Sequence, residues 1–479
     1  MSINNNNSIK KGLAWKFLDQ SVMQIMQFAI GIVMARLLSP SDYGITALPM
    51  VFMLVADALI DGGFTIALIR KPELTEKDLA TSFYYSIAVG IFLYGVIFLA
   101  APWIAEFYNV PVLTPMIRVT SLTLIWGPLA TPQRVLLNRR IDFKTPARIN
   151  ILTKFVTGIF GITIAYMGFG FWALVLTGVL SSLMSLALTI NSVRWLPKEK
   201  FSIESFKYLW DFGNKMLLTR ILDTIYSNIA PIIIGKYYSP ESLGVYNRAQ
   251  GYANLPSVNI ANTIQSVTLP ALSKLQDDNE ALEREYNRLI RGSTFVTFPI
   301  MLMLSALAEP LIIVMLTDKW IECVPLLQIM CFSVMWAPIS YLNCNIIQIK
   351  GRSDIFLKLD VKKKMVSFIL MCASLPFGLI WFCIANFLGM MYTIYANLSA
   401  VGKLTSMGYK KQMMFILPIL FLSVVMFIAI LIVNSFIESN LLRISIGIPM
   451  GVAVFLLGAN YMKMPELAYI TNIIKKRFR

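Results

Sequence analysis

The chain has 479 residues, 57% of them hydrophobic and 14% charged, with a formal net charge of +16 and no histidine. Soluble domains carry about a quarter charged residues and show polar faces along their helices, so a water-soluble globule is excluded. The missing histidine removes a His-ligated metal site, a Ser-His triad and a histidine proton relay.

The polar start MSINNNNSIKKG lacks the short apolar core and small-residue cleavage site of a signal peptide, and its Asn run reads as a disordered tail. The first apolar stretch, 15–38, is long enough to remain as a membrane helix. Further candidates follow at 41–66, 80–101, 113–136, 148–167 and 171–191, then at 212–236, 241–268, 293–316, 324–348, 365–382 and 384–402, and last at 413–434 and 441–461. The eighth, GVYNRAQGYANLPSVNIANTIQSVTL, is too polar to face lipid. The expected fold is an all-α polytopic membrane protein with 14 transmembrane helices.

Fourteen spans place both termini on one side. With the amino end cytoplasmic, 35 of the 42 Lys and Arg fall in the tails and loops of that side, as the positive-inside rule requires. The others are Arg36, Arg118, Arg220, Lys236, Arg248, Lys319 and Arg443. Runs such as NRRIDFK, KLDVKKK and IIKKRFR then suit lipid head groups. No nucleic-acid partner is expected, since no aromatic platform accompanies them. Cys323, Cys331, Cys344, Cys372 and Cys383 form no CxxC and read as small hydrophobes.

One corner is written twice. ARLLSPSDYG at 35–44 and GKYYSPESLG at 235–244 each join two apolar runs. Ser39 can cap the next helix, with Pro40 in its first turn and Asp42 completing a capping box; Ser239 and Pro240 take the same parts, and Glu241 adds negative charge to the first turn. Arg36 aligns with Lys236 and Gly44 with Gly244. Further on, Pro115 aligns with Pro325, Trp126 with Trp336 and Pro128 with Pro338. The repeated unit holds an even number of spans, so two six-helix lobes stand the same way up about an axis along the membrane normal. The expected division is 1–210 for helices 1–6, 211–405 for helices 7–12, and 406–479 for two extra C-terminal helices and a basic cytoplasmic tail. Two such lobes enclose a cavity, and rocking them gives alternating access.

The stretches LSPSDYG, LIRKPELTEKDLATSFYYSI, SPESLGVYNRAQGYANLP and SVTLPALSKLQDD resemble the polysaccharide-precursor flippases of the multidrug/oligosaccharidyl-lipid/polysaccharide exporter superfamily. More narrowly they resemble the Wzx type, lipopolysaccharide and exopolysaccharide export proteins of bacterial inner membranes. The resemblance implies a lipid-linked oligosaccharide substrate, joined through pyrophosphate to undecaprenol and turned from the cytoplasmic to the periplasmic leaflet. It also implies membrane lipids, a polysaccharide polymerase and other assembly proteins as partners, and no cofactor.

An ionisable group near the bilayer centre costs about 2.5–3.5 kcal/mol on insertion scales, so each needs a reason. Arg220 either pairs internally with Asp223 or offers its guanidinium fork to pyrophosphate. Arg248 and the amides Asn254, Asn259, Asn262 and Gln265 either line a wet cavity suited to sugar hydroxyls or bond between helices. Arg118 is a weaker binding candidate, with snorkelling to head groups as its alternative. Arg36 and Lys236 are either interfacial or a symmetric outer gate. Asp57 and Asp61 share one helix face and repel, which makes them, with Asp223, candidates for ion coupling; the alternative pairs them with Arg220 or Lys16.

Two other functions compete. A drug/cation antiporter of the same superfamily would share the lobes but favour an acidic, aromatic cavity. A membrane glycan polymerase or ligase would need a site outside the bilayer, and the outer connections are short. The run GKLTS at 402 departs from a phosphate-binding loop at Leu404, so the reading is a transporter and not an enzyme.

Overall fold

The computed structural model describes residues 3–276 and 278–467, with the side chains of 3–14, 17, 258–259, 261–267 and 269–271 outside the described set. Among the described residues all regular structure is helical. Among the described residues ten helical runs are long and apolar enough to cross a membrane, and eleven if the bent pair Ile203–Ser227 and Ile229–Tyr237 counts as one span. The chain is therefore a multi-pass membrane protein. Helix also covers 113–139, 240–273 and 353–374. The first of these is broken into short pieces, the second is rich in amides, and the third begins with a charged half.

The Asn run is not a separate tail, because the first helix already runs over Ile3–Leu37. The predicted 41–66 element is three helices, Pro40–Ala47, Met50–Asp61 and Phe64–Arg70. Pro49 removes a donor at the first break, and a glycine pair makes the second. Pro128 and Pro338 each stand in the first turn of a new helical segment just after a tryptophan.

The chain forms two compact units, Met1–Gly244 and Val245–Arg479. In the first, Ile3–Leu37 packs along Lys144–Tyr166, which packs along Trp172–Val193. Small residues allow this, as Ile30 sits against Gly158 and Thr177 against Gly161. A second core gathers Phe64, Leu68, Leu79, Val135 and Leu209 under Tyr85 and Phe206. The rings of Phe64 and Tyr85 lie 4.5 Å apart.

The LIRKPELTEKD stretch is an ionic knot beside that core. Thr75 and Asp78 form a reciprocal capping box at the start of Glu76–Tyr108. Lys71 Nζ lies 2.8 Å from both oxygens of the fully buried Asp78. Arg139 donates to the carbonyl oxygens of Leu68 and Pro72, each at 2.9 Å, and to that of Lys71. One guanidinium thus satisfies carbonyls left open where Phe64–Arg70 ends.

In the second unit Asn279–Ala306 packs along Tyr409–Ser435, and Ser353–Ser374 along Leu379–Leu404. Its interior holds a closed polar network. The Tyr286 hydroxyl lies 2.7 Å from Asn343 Oδ1 and 3.0 Å from Gln412 Oε1, Asn343 Nδ2 donates to Ile339 O, and Gln412 Nε2 donates to Met407 O. Nearby in sequence, buried Lys363 donates to Asn397 Oδ1 at 3.1 Å, and Asn397 Nδ2 to Ser340 Oγ at 2.9 Å.

Candidate substrate cavity

The helix Met50–Asp61 ends at Asp61 because Gly62 and Gly63 both take left-handed backbone, φ 58° and 74°. Side chains disfavour that region. The same glycines admit Ile203–Ser227 at backbone distance. A Cβ on Gly63 would lie 2.5 Å from the carbonyl oxygen of Gly213, and one on Gly213 would strike that of Gly62.

About two turns beyond Gly213, Arg220 reaches the carboxylate at the break. Its Nη1 lies 3.2 Å from Asp61 Oδ2, with the Arg220 side chain 58% exposed and that of Asp61 17%. The other oxygen of Asp61 accepts a hydrogen bond from the Thr65 hydroxyl. Only one edge of the guanidinium is thus engaged by Asp61, and a solvent-facing fork remains.

A cavity of about 450 Å³ opens at this pair. Leu54, Ile66 and Met216 supply apolar wall, while Thr219, Asp223, Thr224, Ser227 and Asn228 supply polar groups beside Asp61 and Arg220. Asn228 marks the 43° bend between Ile203–Ser227 and Ile229–Tyr237. Its Nδ2 donates to Thr224 O at 2.8 Å, leaving the Asn228 side-chain oxygen as acceptor. The charged wall is one guanidinium and two carboxylates, so in this conformation it is not the plainly cationic surface that Arg220 alone would make.

The structure thus brings together Arg220, Asp61 and Asp223. Asp57, one turn before Asp61, is exposed and within electrostatic reach of Arg220. Arg220 pairs with Asp61, one of the two alternatives for the Asp57–Asp61 face. Arg118 is not in this wall. Its guanidinium lies 4.3 Å from the Phe98 ring centroid, and its Nε is 3.5 Å from Phe98 O. Lys236 lies 4.3 Å over the Phe107 ring and donates to its carbonyl oxygen, and Arg36 is exposed at the end of Ile3–Leu37.

Arg248 belongs to the second unit, 5.5 Å from the buried Trp320 ring and 5.8 Å from Tyr252. Cation–π contact of this kind holds a guanidinium in place. Asn254 is half-buried on the same helix. The side chains of Asn259, Asn262 and Gln265 lie outside the described residues.

Sequence reasoning missed Thr65, Thr219, Thr224, Ser227 and Asn228. The signal was present: a Gly-Gly pair directly after an aspartate inside an apolar run announces a broken helix at membrane depth.

A family described as polysaccharide biosynthesis protein matches residues 33–325, well over half of the chain. The chain belongs to that family. It is 24% identical over 352 residues to the teichuronic acid biosynthesis protein TuaB of Bacillus subtilis (strain 168), covering 72% of each chain. It is 25% identical over 337 residues to the lipopolysaccharide biosynthesis protein WzxC of Escherichia coli (strain K12), covering 69% of this chain and 68% of that one. In fold it resembles the lipid II flippase MurJ in an inward closed conformation. That match has a TM-score of 0.76 at 15% identity, over 94% of this chain and 98% of the other. At such identity the likeness shows the polytopic helical fold and nothing finer.

Proposed function

We propose that the chain is a secondary transporter that turns undecaprenyl-pyrophosphate-linked oligosaccharide from the cytoplasmic to the periplasmic leaflet of the bacterial inner membrane. In this reading fourteen spans leave both termini cytoplasmic, and the lobes 1–210 and 211–405 provide alternating access. Family membership, the biosynthetic names of TuaB and WzxC, and the fold shared with the flippase MurJ support it.

The single observation that carries the chemistry is the exposed edge of Arg220 on a polar cavity among membrane helices. A guanidinium fork matches two phosphate oxygens and binds them through charge-assisted hydrogen bonds. Asp61 already holds part of that fork, so a phosphate must displace it or share it. Once displaced, Asp61 keeps the Thr65 hydroxyl and can receive the coupling ion. Binding of the anion and uptake of the coupling ion are then linked through one exchange of partners. The hydroxyls of Thr219, Thr224 and Ser227 and the Asn228 amide offer the donors and acceptors that sugar or phosphate oxygens require.

The two carboxylates of the cavity favour a second reading, a drug/cation antiporter. Vesicles reconstituted with the purified chain separate the two. The flippase reading expects movement of a polyprenyl-pyrophosphate oligosaccharide, little movement of its monophosphate analogue and none of a cationic dye. Dye transport without lipid transport would establish the antiporter instead. Arg248→Ala and Arg118→Ala in the same assay test whether those cations contribute.

A further inference from the structure

The two copies of the corner touch each other. Ser39 caps Pro40–Ala47, accepting from Asp42 N at 3.2 Å while Asp42 Oδ2 accepts from Ser39 N at 2.8 Å. Ser239 caps the second copy by accepting from Ser242 N at 3.1 Å. Each glycine that closes a corner then lies on the proline of the other. A Cβ on Gly44 would overlap the carbonyl group of Pro240, and one on Gly244 would overlap the carbonyl oxygen of Pro40 and stand 3.0 Å from Gly44 N. Gly44, Gly244 and Pro40 are buried.

The contact is reciprocal, glycine to proline in both directions, as a two-fold relation between duplicated segments requires. A third glycine extends it, because Leu48 fills the place where Gly235 lacks a side chain, against Tyr108 and Leu243. Glycine inside a helix is disfavoured relative to alanine, so two of them at matched places reflect a need for close approach. At both corner glycines the contact is with backbone atoms of the other corner.

We propose that Gly44, Gly244, Pro40 and Pro240 form a separable clasp, closed in this structure, that shuts one end of the transport path and must open once per cycle. The proposal rests on the transporter reading above but concerns these corners alone. It places the gate in the backbone contact and leaves Arg36 and Lys236 at its margin.

The test uses the full-length chain in vesicles with Cys at Ser41 and Glu241, joined by a bismaleimide with a cleavable disulfide spacer. The parent chain, with its five native cysteines, receives the same reagent as reference. Cross-linking is expected to arrest lipid movement, and reduction of the spacer to restore it. Undiminished transport by the cross-linked chain would overturn the proposal, since the corners would then be static packing. Failure of the untreated parent to move lipid would instead refute the transporter reading. An independent readout needs no substrate: Cys at Leu243, fully buried here, should react with a water-soluble maleimide about tenfold faster when Gly44→Ala or Gly244→Ala holds the clasp apart. Unchanged reactivity in both variants, at normal membrane abundance, would also overturn it.

Discussion

The polar groups around Arg220 and those around Tyr286 sit in different compact units and end in opposite states. Tyr286, Asn343 and Gln412 are buried to within 1% of full exclusion, and the hydroxyl and both amide nitrogens have partners. Arg220, Asp61 and Asp223 face a cavity, and the ion pair there is half open to water. A satisfied, dry network rigidifies its surroundings. A wet pair with spare donors can change partners. The difference teaches which polar cluster was left free to bind and which was closed to hold shape.

Variants can break this contrast, starting with the largest effect. Gly213→Val would force a side chain into the carbonyls of the Gly62–Gly63 break. Overpacking of this sort costs about 1–3 kcal/mol. It would also part Asp61 from Arg220, so both the melting temperature in detergent and lipid transport should fall together.

Arg220→Ala should separate those two readouts. A charge-assisted hydrogen bond is worth about 1.5–3 kcal/mol, so transport should drop about 10–100-fold while melting and membrane abundance stay near normal. Arg220→Lys keeps the charge without the planar fork, and should recover only part of the loss.

Tyr286→Phe is expected to do the reverse. It leaves Asn343 Oδ1 and Gln412 Oε1 without their shared donor, a loss of about 1–3 kcal/mol of stability. Transport per folded molecule should be unchanged, as measured by normalising flux to protein that survives size-exclusion chromatography.

The smallest effect lies in the loop after 131–139. Asp142 accepts from the Lys144 and Thr145 amides, both at 3.1 Å, and from the Thr145 hydroxyl at 2.7 Å. Burial pushes its carboxyl up, but these bonds prevail and hold it below the usual carboxylate range. Its stabilisation is therefore present above the unfolded carboxylate pKa and lost as pH falls through the lower folded one. Asp142→Asn should flatten that acid limb of a melting-versus-pH profile by less than about 1 kcal/mol.

Much of the fold was legible because bilayer-length apolar runs carry their own signal. The capped corners were legible too, since Ser-Pro at a helix start acts through nearest neighbours. The pairing of Gly44 with Pro240 was not, although the alignment of Gly44 with Gly244 pointed at it. Symmetry shows that two residues are equivalent, not that their corners touch. Arg220 and Asp61 were each singled out, yet the choice between Asp223 and Asp61 as partner depended on the Gly62–Gly63 break, a tertiary fact. Arg139 read as one of many loop cations because carbonyls at a helix end carry no mark in the sequence.

The account turns on Asp61 and a substrate phosphate competing for the same guanidinium. Binding of a polyprenyl-pyrophosphate oligosaccharide to the purified chain, compared with Asp61→Asn and Arg220→Ala, tests that most directly. Tighter binding by Asp61→Asn and weaker binding by Arg220→Ala is the predicted result. Equal weakening by both would mean that the pair only supports the fold, and would contradict the account.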